Sequence, residues 1–276
     1  MDYKGKKVAL TGVQGFIGYS LFKRLEDLGA YVNIITGDVR QPESFNGLDY
    51  EYDYLFHFAA PSSQILFKRQ PLYAAEVTIK GFINAAKAAK RDGIKLIYPS
   101  TGLLSQERFN EYAMCKKICE DIHLGENLDA TGIRIFATYG PGESHKRDFA
   151  SVPYLFARDM ANQKAPVIFG DGEQVRDFIY IDDVVESILH ISEEANEPII
   201  DVGSGEATKF NDIIKELKVI TTGPDAVYVE KPGGYVTETL ANPETLHKYY
   251  VPRVNFAEGI ARTVKSIKGS DNESST

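Results

Sequence analysis

From residue 6 to residue 136, apolar β-rich runs alternate with amphipathic helical runs, and this alternation most constrains what the chain can fold into. The order is KKVALTG, a helix over 15–28, AYVNIIT, YDYLFHFAA, a helix over 71–92, IKLIYPS, a helix over 110–127, and DATGIRIF. Strands separated by helices join through right-handed crossovers, so the pattern predicts an α/β fold with a doubly wound parallel sheet. After YGPGE the character changes to a helix near 151–162, the strand PVIFG, the turn GDGEQ, a helix near 182–195, the strand PIIDVGSG and the Pro/Gly-rich EKPGGYV. That mixture predicts a smaller mixed α/β lobe. The expected division is 1–140 with parts of 170–205 for the first domain and 141–268, discontinuous, for the lobe; the polar KGSDNESST predicts a disordered tail over 269–276.

A chain of 276 residues, 43% apolar and 25% charged, can bury one large core and one smaller one. Its net charge of −8 argues against a nucleic-acid polymer or an anionic membrane as partner, since either needs a basic face. No run approaches the roughly 18 to 20 apolar residues of a membrane span, and the chain reads as cytoplasmic. The two cysteines, Cys115 and Cys119, lie four apart within a predicted helix, with no His/Cys cluster nearby. They read as structural thiols, with no metal site.

Gly12, Gly15 and Gly18, in VALTGVQGFIG, follow a strand and open a helix. There, backbone N–H groups and the helix dipole can face a pyrophosphate with no Cβ in the way, although a tight strand-to-helix turn uses the same residues. Tyr112 and Lys116 form Y-x-x-x-K, which a helix places on one face. An ammonium beside a phenol favours the phenolate, so such a Tyr can act as a base near neutral pH. The order carries the meaning: glycine loop, a strand ending PST, the Tyr/Lys pair, then RIFATYGPGE.

With those motifs, and with GDV, HFAAP, FGDGEQVRDFIYIDDV, DVGSGE and KPGGYVTET, nearly the whole chain resembles the extended short-chain dehydrogenase/reductases, within them the NAD-dependent epimerase/dehydratase group acting on nucleotide sugars. The resemblance implies a Rossmann domain with a substrate lobe, NAD as cofactor and a nucleotide-diphosphate sugar as substrate. It implies that Gly12, Gly15, Phe16, Ile17 and Gly18 line the pyrophosphate, that Asp38 and Val39 flank the adenine, and that Phe58, Ala59, Ala60 and Pro61 border the nicotinamide ribose. It further implies that Tyr112 is the base, that Lys116 binds the ribose and lowers the Tyr112 pKa, and that Thr101 orients the sugar oxygen with Ser100 as a substitute. Phe136 abuts the nicotinamide and Arg176 grips the diphosphate. Plainer readings stand beside these: Asp38 as a turn cap, Thr101 as a strand-end hydroxyl, Arg176 paired with Asp177 or Asp182, and His57 as a satisfied core histidine. Family members often pair as dimers through helices including the Tyr/Lys one.

The chain departs from the family pattern at several positions. Only ten residues separate Thr101 from Tyr112, about half the usual stretch, and no helix fits between AYVNIIT and GDVR. Thr36 stands where an acid binds the adenosine 2′-hydroxyl, and Arg40 is close by, which leaves NADP open. Ala137 and Thr78 each replace an expected Asn. Gly102 and Leu103 follow Thr101, where family dehydratases carry an acid and a base and decarboxylases a carboxylate. The residues therefore favour C4 epimerisation through a keto intermediate. Open alternatives are a keto-sugar reductase, a dehydratase using Glu107, Glu111 or a cysteine, and a non-catalytic dinucleotide sensor.

Overall fold

Parallel strands covered on both faces are apolar throughout, and β1 and β3 below are buried along almost their whole length. The computed structural model describes residues 1–62, 64–106, 110–232 and 235–273. The first elements are β1 (Lys7–Thr11), α1 (Phe16–Asp27), β2 (Tyr31–Ile35), β3 (Tyr54–His57), α2 (Gln64–Arg69), α3 (Pro71–Ala75), a π-turn (Glu76–Lys80) and α4 (Gly81–Asp92). There follow β4 (Lys95–Thr101), α5 (Glu111–Glu126), β5 (Ala130–Ile135), β6 (Ala137–Tyr139), α6 (Val152–Ala161), β7 (Val167–Phe169), β8 (Val175–Tyr180) and α7 (Ile181–Glu194). The chain closes with β9 (Ile199–Val202), β10 (Ala207–Lys209), α8 (Phe210–Ile220), β11 (Val227–Val229), β12 (Glu238–Thr239) and α9 (Phe256–Glu273).

Six parallel strands form the main sheet in the order β2-β1-β3-β4-β5-β9. Thr11 lies opposite Ile35 on one side and His57 on the other, and Thr101 lies opposite Ile135. The carboxyl ends of these strands thus share one edge, the edge at which open α/β sheets bind ligands. Only a 3-10 turn, Pro42–Phe45, interrupts the segment between β2 and β3. As the sequence predicts, no α-helix intervenes, and β2 is left as the edge strand. On one face, Phe82, Ala85, Ala86, Ala88 and Ala89 of α4 pack with Leu55, Leu96 and Tyr98; the small alanines let the helix lie close to the sheet.

The chain divides into one unit of Met1–Ile135, Val185–Val202 and Glu244–Val251 and a second of Phe136–Val184, Gly203–Pro243 and Pro252–Thr276. The first boundary falls at 135 rather than 140, and the returning segment is 185–202 rather than a wider part of 170–205; Glu244–Val251 is a further return that no motif announces. In the second unit β8 lies between β10 and β12 and also pairs with β6, while β7 and β11 form a separate parallel pair. Its core is aromatic: Tyr139, Phe178, Phe210 and Phe256 meet at ring distances of 5.3 to 6.2 Å.

Two expectations change. The helix over 71–92 is interrupted by the π-turn, where Thr78 turns its hydroxyl to Ala74 O at 2.8 Å. Residues 269–273, expected as disordered tail, continue α9, because adding a turn to a nucleated helix costs little. Asn255 Oδ1 caps that helix by accepting from Glu258 N at 2.9 Å. Among the described residues no helix is long and apolar enough to cross a membrane.

Asp177 organises the second unit. Its side chain is fully buried and accepts from Ser204 N, Ser204 Oγ, Gly205 N and Ala241 N at 2.7, 2.8, 2.9 and 3.1 Å. Asp177→Ala strands these donors and is expected to cost on the order of 3 kcal/mol, read as a lowered urea midpoint.

Candidate active site

The glycine loop is built for close approach. Gly12 has φ +77°, and a Cβ there would lie 2.5 Å from Ala59 N. A Cβ on Gly18 would lie 2.1 Å from Gly12 O. Gly15 is the extended N-cap of α1, which has no side-chain cap and no acid in its first turn. The start of α1 therefore offers its dipole end without a carboxylate of its own, and the cradle fits a pyrophosphate. Phe16 is buried and Ile17 half-buried as α1 begins. The ends of β1 and β3 are tied through Thr11 Oγ1, which accepts from Ala59 N and pairs with His57 Nδ1, both at 3.0 Å. Phe58, Ala59 and Ala60 are half-buried directly after β3, and Pro61 is buried.

His57 is only half satisfied. Its Nε2 is buried with no partner among the described residues, and burial pushes the ring down to about 3, so the imidazole is neutral.

Beyond β2, the Val39 side chain enters the core and its carbonyl accepts from Asn84 Nδ2 at 3.0 Å, so Val39 offers an adenine no more than backbone. Asp38 is bound bidentately by Arg40, which holds its carboxyl down at about 2. Arg40 also donates to Glu76 at 3.1 Å and lies 5.0 Å from the Tyr73 ring. The cation that left NADP open is thus neutralised by two carboxylates. Thr36 is exposed.

The catalytic candidates converge at the carboxyl end of β4. Asn110 Oδ1 caps α5 by accepting from Ala113 N at 2.9 Å, which places Tyr112 in the first helical turn. Thr101 lies beside the Tyr112 phenol, close enough to lower its pKa, and accepts from Leu103 N at 3.3 Å. Burial raises the Tyr112 pKa and Thr101 lowers it part of the way back. Lys116 is 4% exposed, pushed down to about 8 by burial, and donates to Pro99 O at 2.8 Å. Tyr112 also meets Phe67 edge-on at 5.5 Å.

Ser100 is not a substitute for Thr101. Ser100 donates to Glu120 Oε1 at 2.6 Å, within a bidentate pair that Glu120 makes with Arg134, and is committed there. Of the groups named for an unconventional elimination, Glu107 lies outside the described residues, as do Gly233 and Gly234 of KPGGYVTET. Glu111 is exposed in the first turn of α5. Cys115 packs with Phe67 and Ala74, and Cys119 donates to Thr78 O at 3.7 Å, so both thiols are structural.

Phe136, Ala137 and Arg176 belong to the second unit. Phe136 is buried directly after β5, and Ala137 opens β6. Arg176 pairs with neither Asp177 nor Asp182. It donates to Val175 O at 2.7 Å and Val236 O at 2.5 Å and lies over the Phe210 and Tyr235 rings. Among the described residues no carboxylate pairs it. Residue spacing missed Asp177, and it missed Glu143, whose buried carboxylate accepts from Gly140 N, Ser151 N and Ser151 Oγ. Asp177 carries no local signal, since its partners lie on distant loops, whereas the partners of Glu143 all lie within eight residues of it. Glu120 had one: it lies four residues beyond Lys116, on the face that carries Tyr112.

The NAD dependent epimerase/dehydratase family matches residues 8–203. The chain is 25% identical to a UDP-N-acetyl-alpha-D-glucosaminuronate decarboxylase of Bacillus cytotoxicus, over 97% of this chain and 99% of that one. A UDP-glucose 4-epimerase of Thermotoga maritima, solved with UDP-glucose, superposes with a TM-score of 0.86 at 25% identity, over 96% and 99% of the two chains. A UDP-N-acetylglucosamine 4-epimerase of Methanobrevibacter ruminantium, in complex with UDP-N-acetylmuramic acid, gives 0.87 at 26% identity, over 97% and 99%. The glycine cradle, the Thr101–Tyr112 pair and the family match over most of the chain agree: this chain belongs to the NAD-dependent epimerase/dehydratase family.

Proposed function

We propose that the protein epimerises a nucleotide-diphosphate sugar at C4 through a keto intermediate. The observation that carries this reading is Tyr112 beside Thr101 at the carboxyl end of β4, with Gly102 and Leu103 where an elimination or decarboxylation would need a carboxylate. The loop of Gly12, Gly15 and Gly18, with Phe16 and Ile17, holds the NAD pyrophosphate; Asp38 and Val39 flank the adenine, and Phe58 to Pro61 and Lys116 border the nicotinamide ribose, with Phe136 beside the ring. NAD, when bound there, supplies the hydride acceptor for oxidation at C4 and the donor for its reversal. Tyr112 takes the proton of the C4 hydroxyl and returns it to the hydroxyl that re-forms. Thr101 orients the sugar oxygen and stabilises the phenolate. Lys116, held by Pro99, keeps a positive charge beside this chemistry.

Arg176 binds the substrate diphosphate, a role supported by its having no carboxylate partner among the described residues. Arg176→Ala is expected to raise KM for UDP-glucose about 10- to 100-fold with kcat changed only a few-fold, and steady-state kinetics separate the two. Asp38→Ala combined with Glu76→Ala frees Arg40 and is expected to tighten NADP binding about tenfold relative to NAD, as measured by calorimetry. Pairing of two copies through α5 is supported by Met114 and Ile118, which lie one turn apart and are 53% and 42% exposed.

The test is incubation of the purified protein with UDP-glucose and NAD. UDP-galactose forming without net NADH supports the reading. Stoichiometric cofactor turnover with a 4-keto sugar indicates the reductase instead, and loss of water indicates the dehydratase. Tight NAD binding with none of these activities, across a panel of nucleotide sugars, indicates the sensor.

A further inference from the structure

Strand β4 and helix α5 are joined by hydrogen bonds in sequence order. Tyr98 Oη pairs with His123 Nδ1 at 3.0 Å, Lys116 Nζ donates to Pro99 O at 2.8 Å, and Ser100 Oγ donates to Glu120 Oε1 at 2.6 Å. Three consecutive residues of the strand are thus each tied to the helix, and the next, Thr101, lies beside Tyr112. Tyr112, Lys116 and Glu120 are spaced by four, so a single helix face presents all three.

The deepest tie is Glu120, which is 2% exposed. Arg134 of β5 donates Nε to Oε1 at 2.8 Å and Nη2 to Oε2 at 2.7 Å. A bidentate guanidinium–carboxylate pair has essentially one geometry, so it holds α5 at one rotation and one height above the sheet. Ser100, itself 3% exposed, adds a third bond to a carboxylate whose two oxygens Arg134 already satisfies. What that bond adds is placement: it locates the last residues of β4 relative to the helix, and the next residue is Thr101.

We propose that the Glu120–Arg134 pair, acting through Ser100, sets the register of α5 on β4, and that Ser100, Glu120 and Arg134 are positioning residues for the Tyr112–Thr101 pair. The proposal rests on the reading of Tyr112 as the acid–base group. A rigid helix carries the constraint across the two turns, roughly 12 Å, from Glu120 to Tyr112. Displacements of about 1 Å at a reacting group are enough to impair catalysis strongly.

The test is NMR of the full chain with NAD bound, using tyrosine labelled with 13C at Cζ; the Tyr112 resonance is assigned by its loss in Tyr112→Phe. Thr101→Val supplies the displacement that follows loss of the Thr101 hydroxyl. Ser100→Ala is expected to reproduce about half of that displacement or more, while Ser100→Thr, which keeps the hydroxyl, leaves the resonance near its wild-type position. A Tyr112 resonance unmoved in Ser100→Ala overturns the proposal, and so does an equal displacement in Ser100→Ala and Ser100→Thr, which would report packing alone. Should Ser100→Ala not fold, Glu120→Gln keeps the side-chain shape, weakens the Arg134 pair and is read against the same reference. Because the resonance is observed without turnover, its outcome is separate from the base assignment, which fails only if Tyr112→Phe retains activity.

Discussion

Tyr112→Phe is expected to lower kcat by about 10² to 10⁴-fold, the usual weight of a positioned acid–base group, while NAD affinity stays within about threefold of wild type. The ring itself is not lost, because phenylalanine keeps the edge-on contact with Phe67 at 5.5 Å. What is lost is the hydroxyl that lies beside Thr101. Kinetics with UDP-glucose beside a calorimetric NAD titration separate the two quantities, and a variant within about tenfold of wild-type kcat removes Tyr112 from the mechanism. The pH profile provides an internal check. Burial raises the phenol's pKa and Thr101 lowers it, and the base works only when deprotonated. Thr101→Val therefore moves the acid limb of kcat to higher pH, with activity lost first on the acid side.

Gly18→Ala is expected to weaken NAD binding by about 100-fold or more and to lower the melting temperature by several degrees. A Cβ on Gly18 would sit 2.1 Å from the carbonyl oxygen of Gly12, a backbone atom that cannot rotate out of the way. Either α1 or the turn before it must shift, and both would present amides to the pyrophosphate in the proposed site. Gly12→Ala adds backbone strain at φ +77° and a clash with Ala59 N at 2.5 Å, so it is expected to be worse. Gly15→Ala is the control, because a Cβ there meets only Gly12 O at 3.3 Å. NAD titrations and thermal melts of the three variants should rank them Gly15→Ala mildest and Gly12→Ala most severe; a Gly18→Ala protein with wild-type NAD affinity would place the cofactor elsewhere.

Features made from neighbours in the chain are legible in the sequence itself. The glycine cradle, the pairing of Tyr112 with Lys116 on one helix face and the missing helix between β2 and β3 follow from spacing, because strand and helix periods convert sequence distance directly into direction. The same logic explains why Asn110 starts α5 and Ser151 starts α6, each accepting a bond from the backbone three residues on.

Spacing could not say which partner a side chain finds when several lie within reach. Ser100 and Thr101 are adjacent hydroxyls at the end of one strand, and only the packing of α5 and β5 shows that Ser100 serves Glu120 while Thr101 meets Tyr112. Arg176 and Asp177 are adjacent opposite charges, yet the arginine binds carbonyls and the aspartate binds amides more than twenty residues away. Lys116 faces Tyr112 by helical period, but its ammonium goes to Pro99.

The sequence alone therefore determined the α/β sheet, the order of its elements and the glycine turn that opens α1, because these depend on local period and backbone freedom. The tertiary structure alone decided the partner of each charge and hydroxyl, since a buried polar group must take whichever complementary group the fold brings within hydrogen-bond reach, and that group is seldom near it in the chain.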